Sequence, residues 1–437
     1  MNFDKFFIIA KEKGLEATQV YLEHSVQLDL EVFKGELEKN QIADSRVLTI
    51  QGIYQGKMGK LTTEVLDEGQ EEAWADDLIK SASLIESKDE VFIYEGSAHY
   101  ETVEGLRNEA IEAVDIKTKI DMVFALDAKM RDLDERADLT QAFYGQSRKR
   151  VLLQNSKGLK LEKDVNSAVL GGYVVARQDG DSRTAFDYVQ SNDMADFDLD
   201  VIAETTVTKA VSQLGAKPVP SGTYEILLQN TASASLLAAH VSMFSAESVQ
   251  KGMSKLAGKV GQSIAAESIR IIDDPFRKKS PKSGAFDDEG VSTQPLELIS
   301  GGVLKGYMHN LKTARKADAT STGHGYRGGV SPTNFHIQAG TADFDATLQS
   351  IEKGLLITDL QGTHAGTNAI SGDFSLQASG FLIEQGKMTQ PVALITVAGN
   401  YLDLLNDVTT LCDDLKFGFG FIGSPSLKIK SLVVSGS

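Results

Sequence analysis

Gln19-Val-Tyr-Leu-Glu-His-Ser-Val-Gln-Leu-Asp-Leu-Glu-Val-Phe-Lys34 alternates apolar and polar residues. Val20, Leu22, Val26, Leu28, Leu30 and Val32 share one face of an extended chain. That period of two predicts a long strand with one buried side. Further strands are expected at Ser45–Tyr54 and Lys57–Val65, joined through Gly56. Around them the spacing turns helical. Phe3, Phe6, Phe7 and Ala10 line one side of 3–13, Trp74, Leu78 and Ile79 one side of 69–85, and Ile116, Ile120, Val123, Phe124 and Leu126 one side of 114–135. Strands interleaved with helices predict an α+β first domain built on a mixed sheet.

Beyond Val151 the pattern becomes a meander. Val151–Gln154 and Leu159–Glu162 flank a turn at 155–158, and Gly171–Arg177 and Arg183–Val189 flank a turn at 178–181 carrying Asp-Gly. A helix over Leu199–Leu214 precedes Pro218-Val-Pro-Ser-Gly222, the strongest break in the chain. The break predicts one domain over residues 1–217 and another over 218–437. In the second, Tyr224–Leu228 reads as a strand and Thr231 as the N-cap of a helix running to about Lys251. Short strands at Ile269–Ile272, Gln294–Ile299, Val303–Leu311, Asn334–Ala339 and Leu355–Thr358 follow, with turns at 300–302 and 385–386. This texture predicts a β-rich, barrel-like domain with a few helices.

Charge narrows the function. The 437 residues carry 44 basic and 61 acidic side chains, a net charge of −17. That field repels phosphate backbones, so nucleic-acid binding is not expected. The triplets Arg148-Lys149-Arg150 and Arg277-Lys278-Lys279 read as solvated turns. The pairs Asp273-Asp274, Asp287-Asp288 and Asp413-Asp414 read as helix caps or solvent-facing acids. Apolar runs such as Phe6–Ala10 and Leu394–Ala398 are far too short to span a membrane. The first residues lack a basic leader, and a single cysteine forms no internal disulfide, so a cytoplasmic location is expected.

The seven histidines include no pair at H-x-x-H, H-x-x-x-H or H-E-x-x-H spacing. A helix-borne zinc site needs two imidazoles on one face and a nearby carboxylate as base. Neither a G-x-S-x-G elbow nor a phosphate-binding glycine loop occurs. His324 and His336 read as a flexible turn and the polar position of a strand, and His240, alone on its helix, as a packed histidine.

The segment Gly362-Thr-His-Ala-Gly-Thr-Asn-Ala-Ile-Ser-Gly-Asp-Phe-Ser-Leu-Gln-Ala-Ser-Gly-Phe-Leu-Ile-Glu-Gln-Gly-Lys387 resembles the TldD/PmbA (TldE) family. So do Lys251-Gly-Met-Ser254, Asp273-Asp-Pro275, Asp287-Asp-Glu-Gly290, Thr396-Val-Ala-Gly-Asn400 and Gly423-Ser-Pro-Ser-Leu427, in family order over 224–437. The resemblance implies a zinc peptidase in the TldD branch, with H-E-x-x-x-H on a helix and a cysteine near the C-terminus. Laid on this chain, Ala238 and Ala239 occupy the His-Glu positions and Met243 the second His, and Phe417–Ser424 contains no cysteine. Methyl groups neither ligate metal nor move protons, and a thioether is a poor zinc ligand.

That pattern is similar to the TldE (PmbA) branch. It implies a catalytically silent chain with no metal or cofactor of its own. Its partner is then a zinc-bearing TldD-like chain or a second copy of itself, and the two enclose unfolded peptides. His364 and Asn368, in the best-matching block, are the candidate residues lining that cavity, although turn geometry explains the block equally well. Two alternatives stand beside this reading. One is an independent peptidase using His324, His336, His364 or Cys412; the other is a protein-binding regulator of the gyrase-modulator kind.

Overall fold

The structure, a computed structural model, describes residues 3–67, 69–86 and 90–437. The alternating stretch becomes strand β1 (Ala17–Phe33), near the middle of a six-stranded sheet. Its companions are β2 (Glu36–Tyr54), β3 (Lys57–Thr63), β4 (Ala137–Asn155), β5 (Lys160–Gln178) and β6 (Asp181–Ser191), ordered β3-β2-β1-β4-β5-β6. Every neighbouring pair is antiparallel, so this sheet is not the mixed one expected. Hairpins join all the neighbours except β1 and β4, and the helical excursion after β3 returns the chain antiparallel to β1. A hairpin can only produce an antiparallel pair.

Three of the hairpins turn on two residues with positive φ: Lys34-Gly35 at 52° and 78°, Gln55-Gly56 at 51° and 69°, Asp179-Gly180 at 50° and 83°. This two-residue geometry matches the twist of the flanking strands and is why glycine closes each turn. The strands exceed their sequence signals. Residues 36–46 of β2 are mostly polar and exposed and show no alternation, and pairing with β1 holds them extended.

Even-numbered residues of β1 face helices. Val20 packs with Leu48, Ile50 and the helix residues Phe6, Trp74 and Leu78, from Asp4–Glu12 and Glu71–Ser83. Leu30 and Val32 pack with Leu170, Val174, Val123, Leu126, Ile202 and Val207, the last four from helices Ile116–Leu133 and Leu199–Val211. Odd-numbered residues therefore face the other way. Thr49 and Leu153 pair with Tyr21, and Val151 pairs with both Glu23 and Lys163, so Gln19, Tyr21, Glu23, Lys149 and Lys163 share one side.

In the second half, Gly222–Leu228, Lys353–Gln361, Asp373–Glu384, Lys387–Asn400 and Leu427–Ser435 close into a five-stranded barrel through the pairing of Thr396–Ala398 with Val433–Ser435. Parallel pairing occurs here, between Gly222–Leu228 and Lys353–Gln361. A smaller curled sheet includes Ile271–Asp273, Leu296–Ser300, Phe335–Ile337 and Ile422–Ser424. Two expectations change. The strand expected at Val303–Leu311 ends at Leu304, and Leu311 instead starts a helix whose capping box joins Asn310 and Thr313. The helix expected to reach Lys251 is three pieces: Asn230–His240, a 3-10 turn at Val241–Phe244, and Ala246–Gln250. The break follows from Ser245, which is extended and whose hydroxyl accepts the Glu247 N–H at 3.2 Å to start a new helix.

Gly380 lies at an irregularity of the barrel ladder, where a Cβ would sit 1.8 Å from the Leu356 carbonyl oxygen. Gly380→Ala is expected to destabilise the chain by about 3 kcal/mol in urea unfolding, and a loss under about 1 kcal/mol would refute so close an approach.

Candidate functional site

Helix Asn230–His240 is anchored at its start by the C-terminal block. Ser426 Oγ accepts the Asn230 N–H at 2.9 Å and donates to Asp414 Oδ2 at 2.6 Å, while Asn230 Nδ2 donates to the Asp414 carbonyl at 2.9 Å. The hydroxyls of Ser233 and Ser424, both buried, meet at 2.7 Å. Helix and block thus lie together as the resemblance requires. The side chains presented there do not suit a metal. Ala238 is exposed and Ala239 half-buried, while Met243 follows the helix break and is enclosed in the core with Phe244 and Leu256. Two methyl groups and a buried thioether do not fit zinc.

His240 is a packed residue. Its Nδ1–H donates to the Leu236 carbonyl at 2.8 Å, and its ring stacks on Tyr401 at 4.6 Å and 7°. Burial pushes its pKa below the ordinary histidine value, partly offset by the Leu236 and Gly372 carbonyls. His364 is exposed on the short helix Thr363–Gly366 beside Asn230–His240. Asn368, also exposed, uses Oδ1 to accept the Ile370 N–H at 2.9 Å, and its backbone bonds Gly372 and Asp373 to set the turn. Neither residue lines the large cavity described below. Cys412 is buried, its Sγ lies 3.6 Å from Thr347 Oγ1, and burial pushes its thiol pKa up, which disfavours the thiolate.

His324 departs from the flexible turn expected. It is 2% exposed, and its Nε2–H donates at 3.0 Å to Oδ2 of Asp273, which is itself fully buried and also accepts the Thr333 N–H at 2.9 Å and hydroxyl at 2.6 Å. On the other side of the ring, Nδ1 lies 2.8 Å from Thr322 Oγ1 and 2.9 Å from the Thr322 carbonyl oxygen. Asp273 and Asp287 are thus interior residues rather than the solvent-facing acids expected. His336 lies on the strand Phe335–Ile337, 5.3 Å from the Phe417 ring. Among the described residues, no three His, Cys, Asp or Glu side chains converge as a metal-binding group.

The odd-numbered face of the first sheet and the second half enclose a cavity of about 810 Å³. Tyr21, Lys149 and Lys163 line it from the sheet, Phe92 and Tyr94 from the segment after helix Glu71–Ser83, and Lys282, Phe286 and Tyr326 from the second half. Polar contacts also join the first half to the second. Tyr21 Oη donates to Asp288 Oδ1 at 3.0 Å, Tyr100 Oη to the Gly290 carbonyl at 2.7 Å, and the Ser292 N–H to Ser97 Oγ at 2.9 Å.

Burial shifts charged groups at and behind this wall. Burial, reinforced by Glu289, pushes the Asp287 carboxyl up to about 8 despite backbone N–H bonds from Gly325, Val291 and Glu289. Burial pushes the Lys163 ammonium down to about 8; Asp288 opposes this, and Lys149 and Lys282 add to it. The Tyr326 hydroxyl is buried with no hydrogen-bond partner among the described residues.

The basic triplet at 148–150 is placed differently from the solvated turn expected, whereas Lys278 and Lys279 do lie exposed in a turn. Arg148-Lys149-Arg150 lies within β4, whose alternation sends Arg148 to Asp164 at 2.7 Å and Arg150 to Glu162 at 3.0 Å, and turns Lys149 toward Glu23 and the cavity. Arg277 lies over the Phe417 ring at 4.0 Å, and Lys279 pairs with Asp196 at 2.6 Å. Strand period could have flagged Lys149, but nothing local in the sequence marks Lys163 or Lys282.

Two consequences are measurable. His324→Ala leaves the buried Asp273 carboxylate short of a donor and is expected to cost about 2–3 kcal/mol in chemical denaturation; a loss below about 0.5 kcal/mol would show that another group replaces it. For His240, the unfolded chain binds the proton more readily than the folded chain. Its stabilising contribution is therefore complete above about pH 6.5 and falls as pH drops below that. His240→Gln is expected to flatten melting temperature against pH between about pH 7 and 5, and an unchanged profile would show that His240 is not the proton acceptor.

The PmbA/TldA metallopeptidase central domain matches residues 109–214, and the PmbA/TldA metallopeptidase C-terminal domain matches residues 221–436. The metalloprotease TldD homolog of Buchnera aphidicola is 26% identical over 360 residues, 75% of this chain and 74% of that protein. A Thermotoga maritima crystal structure, described as a proposed modulator of a DNA gyrase, is 31% identical, superposes with a TM-score of 0.93 and covers 99% of both chains. TldE from Thermococcus kodakarensis shares the fold, with a TM-score of 0.91 at 22% identity over 99% of this chain and 100% of that one. With both metallopeptidase domains matched in order and the whole fold shared, the chain belongs to the PmbA/TldD/TldE family.

Proposed function

We propose that this chain is the non-catalytic, TldE/PmbA-like subunit of a TldD-type zinc metallopeptidase. The observation that carries the reading is the chemistry at one helix. Ala238, Ala239 and Met243 stand where the resemblance places two metal ligands and the general base, on a helix still anchored to the C-terminal block. In this reading the zinc belongs to a TldD-like partner or, in a homodimer, activity is absent. The substrate is an unfolded peptide, and this chain completes the enclosing wall. Strand addition has a place to occur: β3 covers β2 only from Leu48 to Tyr54, so Glu36–Val47 presents an open edge on that side. The single buried cysteine accords with a reducing, cytoplasmic setting.

The test uses the untagged chain. Elemental analysis is expected to find essentially no zinc, and unfolded peptide is expected to survive incubation with the chain alone. Adding a TldD-family chain with an intact H-E-x-x-x-H motif is expected to start chelator-sensitive hydrolysis. Stoichiometric zinc together with chelator-sensitive hydrolysis by this chain alone would overturn the proposal. The description of the Thermotoga relative as a gyrase modulator supports a second reading, a regulator that contacts protein. Stable association with a target outside the family, with no effect on peptide hydrolysis, would favour that reading instead.

A further inference from the structure

The chain carries a net charge of −17, yet its large cavity has the opposite balance. Lys60, Lys149, Lys163, Lys282, Lys312 and Arg327 line it, against Glu23, Glu90, Asp288 and Glu289. The acids are already engaged. Glu23 pairs with Lys149 and Glu90 with Arg315; Asp288 accepts the Tyr21 hydroxyl and the Arg327 N–H, and Glu289 accepts the Leu311 N–H at 2.8 Å. The ammonium groups of Lys163 and Lys282 have neither an ion pair nor a hydrogen bond among the described residues.

Lys163 is also given room. It crosses from β5 to the backbone at Gly284, where a Cβ would lie 2.7 Å from its Nζ. Asp288 offsets their charge only from a distance, and partly buried cations without a direct ion pair are unfavourable until an anion joins them. Tyr326, whose hydroxyl has no hydrogen-bond partner among the described residues, lines the same cavity, and Tyr21, Phe92, Tyr94 and Phe286 provide aromatic walls.

We propose that this cavity binds a peptide by its free C-terminal carboxylate, held between Lys163 and Lys282, with the preceding side chains against the aromatic walls. Its volume of about 810 Å³ falls within the range of specific ligand pockets. Paired lysines act as point charges that suit a carboxylate, and Arg327 on the same wall adds to the positive field. The identity of the ligand as a peptide rests on the proposed function; the anion site does not.

The experiment is calorimetric titration of the full chain, without a catalytic partner, using one short unstructured peptide as the free acid and as the C-terminal amide, and inorganic phosphate. The free acid is expected to bind at least about tenfold tighter than the amide, equivalent to about 1.4 kcal/mol. Lys163→Met with Lys282→Met is expected to erase that difference, and Lys163→Arg with Lys282→Arg to retain it, with circular dichroism melting as the check on folding. If the double methionine variant does not fold, Lys282→Met alone decides.

Equal affinity for acid and amide, or a preference that survives Lys→Met, overturns the proposal. Phosphate binding without peptide binding overturns the peptide assignment. Because no hydrolysis is measured, failure here leaves the silent-subunit reading to be judged by its own zinc and activity assays.

Discussion

β1 is bonded on both sides, to β2 from Ala17 to Phe33 and to β4 from Gln19 to Phe33, and the rest of the molecule depends on that double registration. A slip of one residue on either side would exchange the faces of the strand. Val20, Leu30 and Val32 would leave the helices, each forfeiting about 1.5–3 kcal/mol of apolar burial, and Glu23 and Gln19 would be driven into the core. Helices hold one face dry, so the other is free to carry polar groups. The row Gln19, Tyr21, Glu23, Lys149 and Lys163 follows from this, and the cavity wall follows from the row.

The second half meets that wall with a frame of buried polar contacts rather than with apolar packing alone. Asp273 gathers donors from His324 and Thr333, and Asp287 gathers three backbone N–H groups. Such groups are costly to bury unless satisfied, and once satisfied they fix the loops that carry them. The loop from Ser321 to Thr333 is held in this way, which sets Tyr326 and Arg327 at the cavity. At the helix Asn230–His240 the frame is equally firm, through Ser233, Ser424, Ser426 and Asp414, but it ends in methyl groups. The family scaffold is kept, with Ala238, Ala239 and Met243 at the positions the resemblance assigns to the zinc ligands and the base.

Local signals served well where the physics is local. Alternation found β1, helical spacing found the first three long helices, and Gly56 and Asp179-Gly180 marked turns that exist. They failed where a contact from elsewhere decides. Residues 36–46 show no alternation and are extended through their ladder with β1. The apolar spacing after Thr231 continues through Val241 and Phe244, but Ser245 restarts the helix. Arg148-Lys149-Arg150 resembles any exposed basic turn until strand geometry sends its middle residue to one side and its neighbours to the other.

By itself the sequence determined the α+β class, the blocks that place the chain in its family, and the lack of any side chain at 238, 239 or 243 able to hold zinc. These follow from residue identity and short-range periodicity, which need no partner in space. Only the tertiary structure decided that the first sheet is antiparallel throughout, that His324 and Asp273 form a buried pair, and that Lys163 and Lys282 face one cavity. Those residues lie far apart along the chain, and they meet because the strand ladder and the docking of the two halves bring them together, a long-range constraint that no local pattern records.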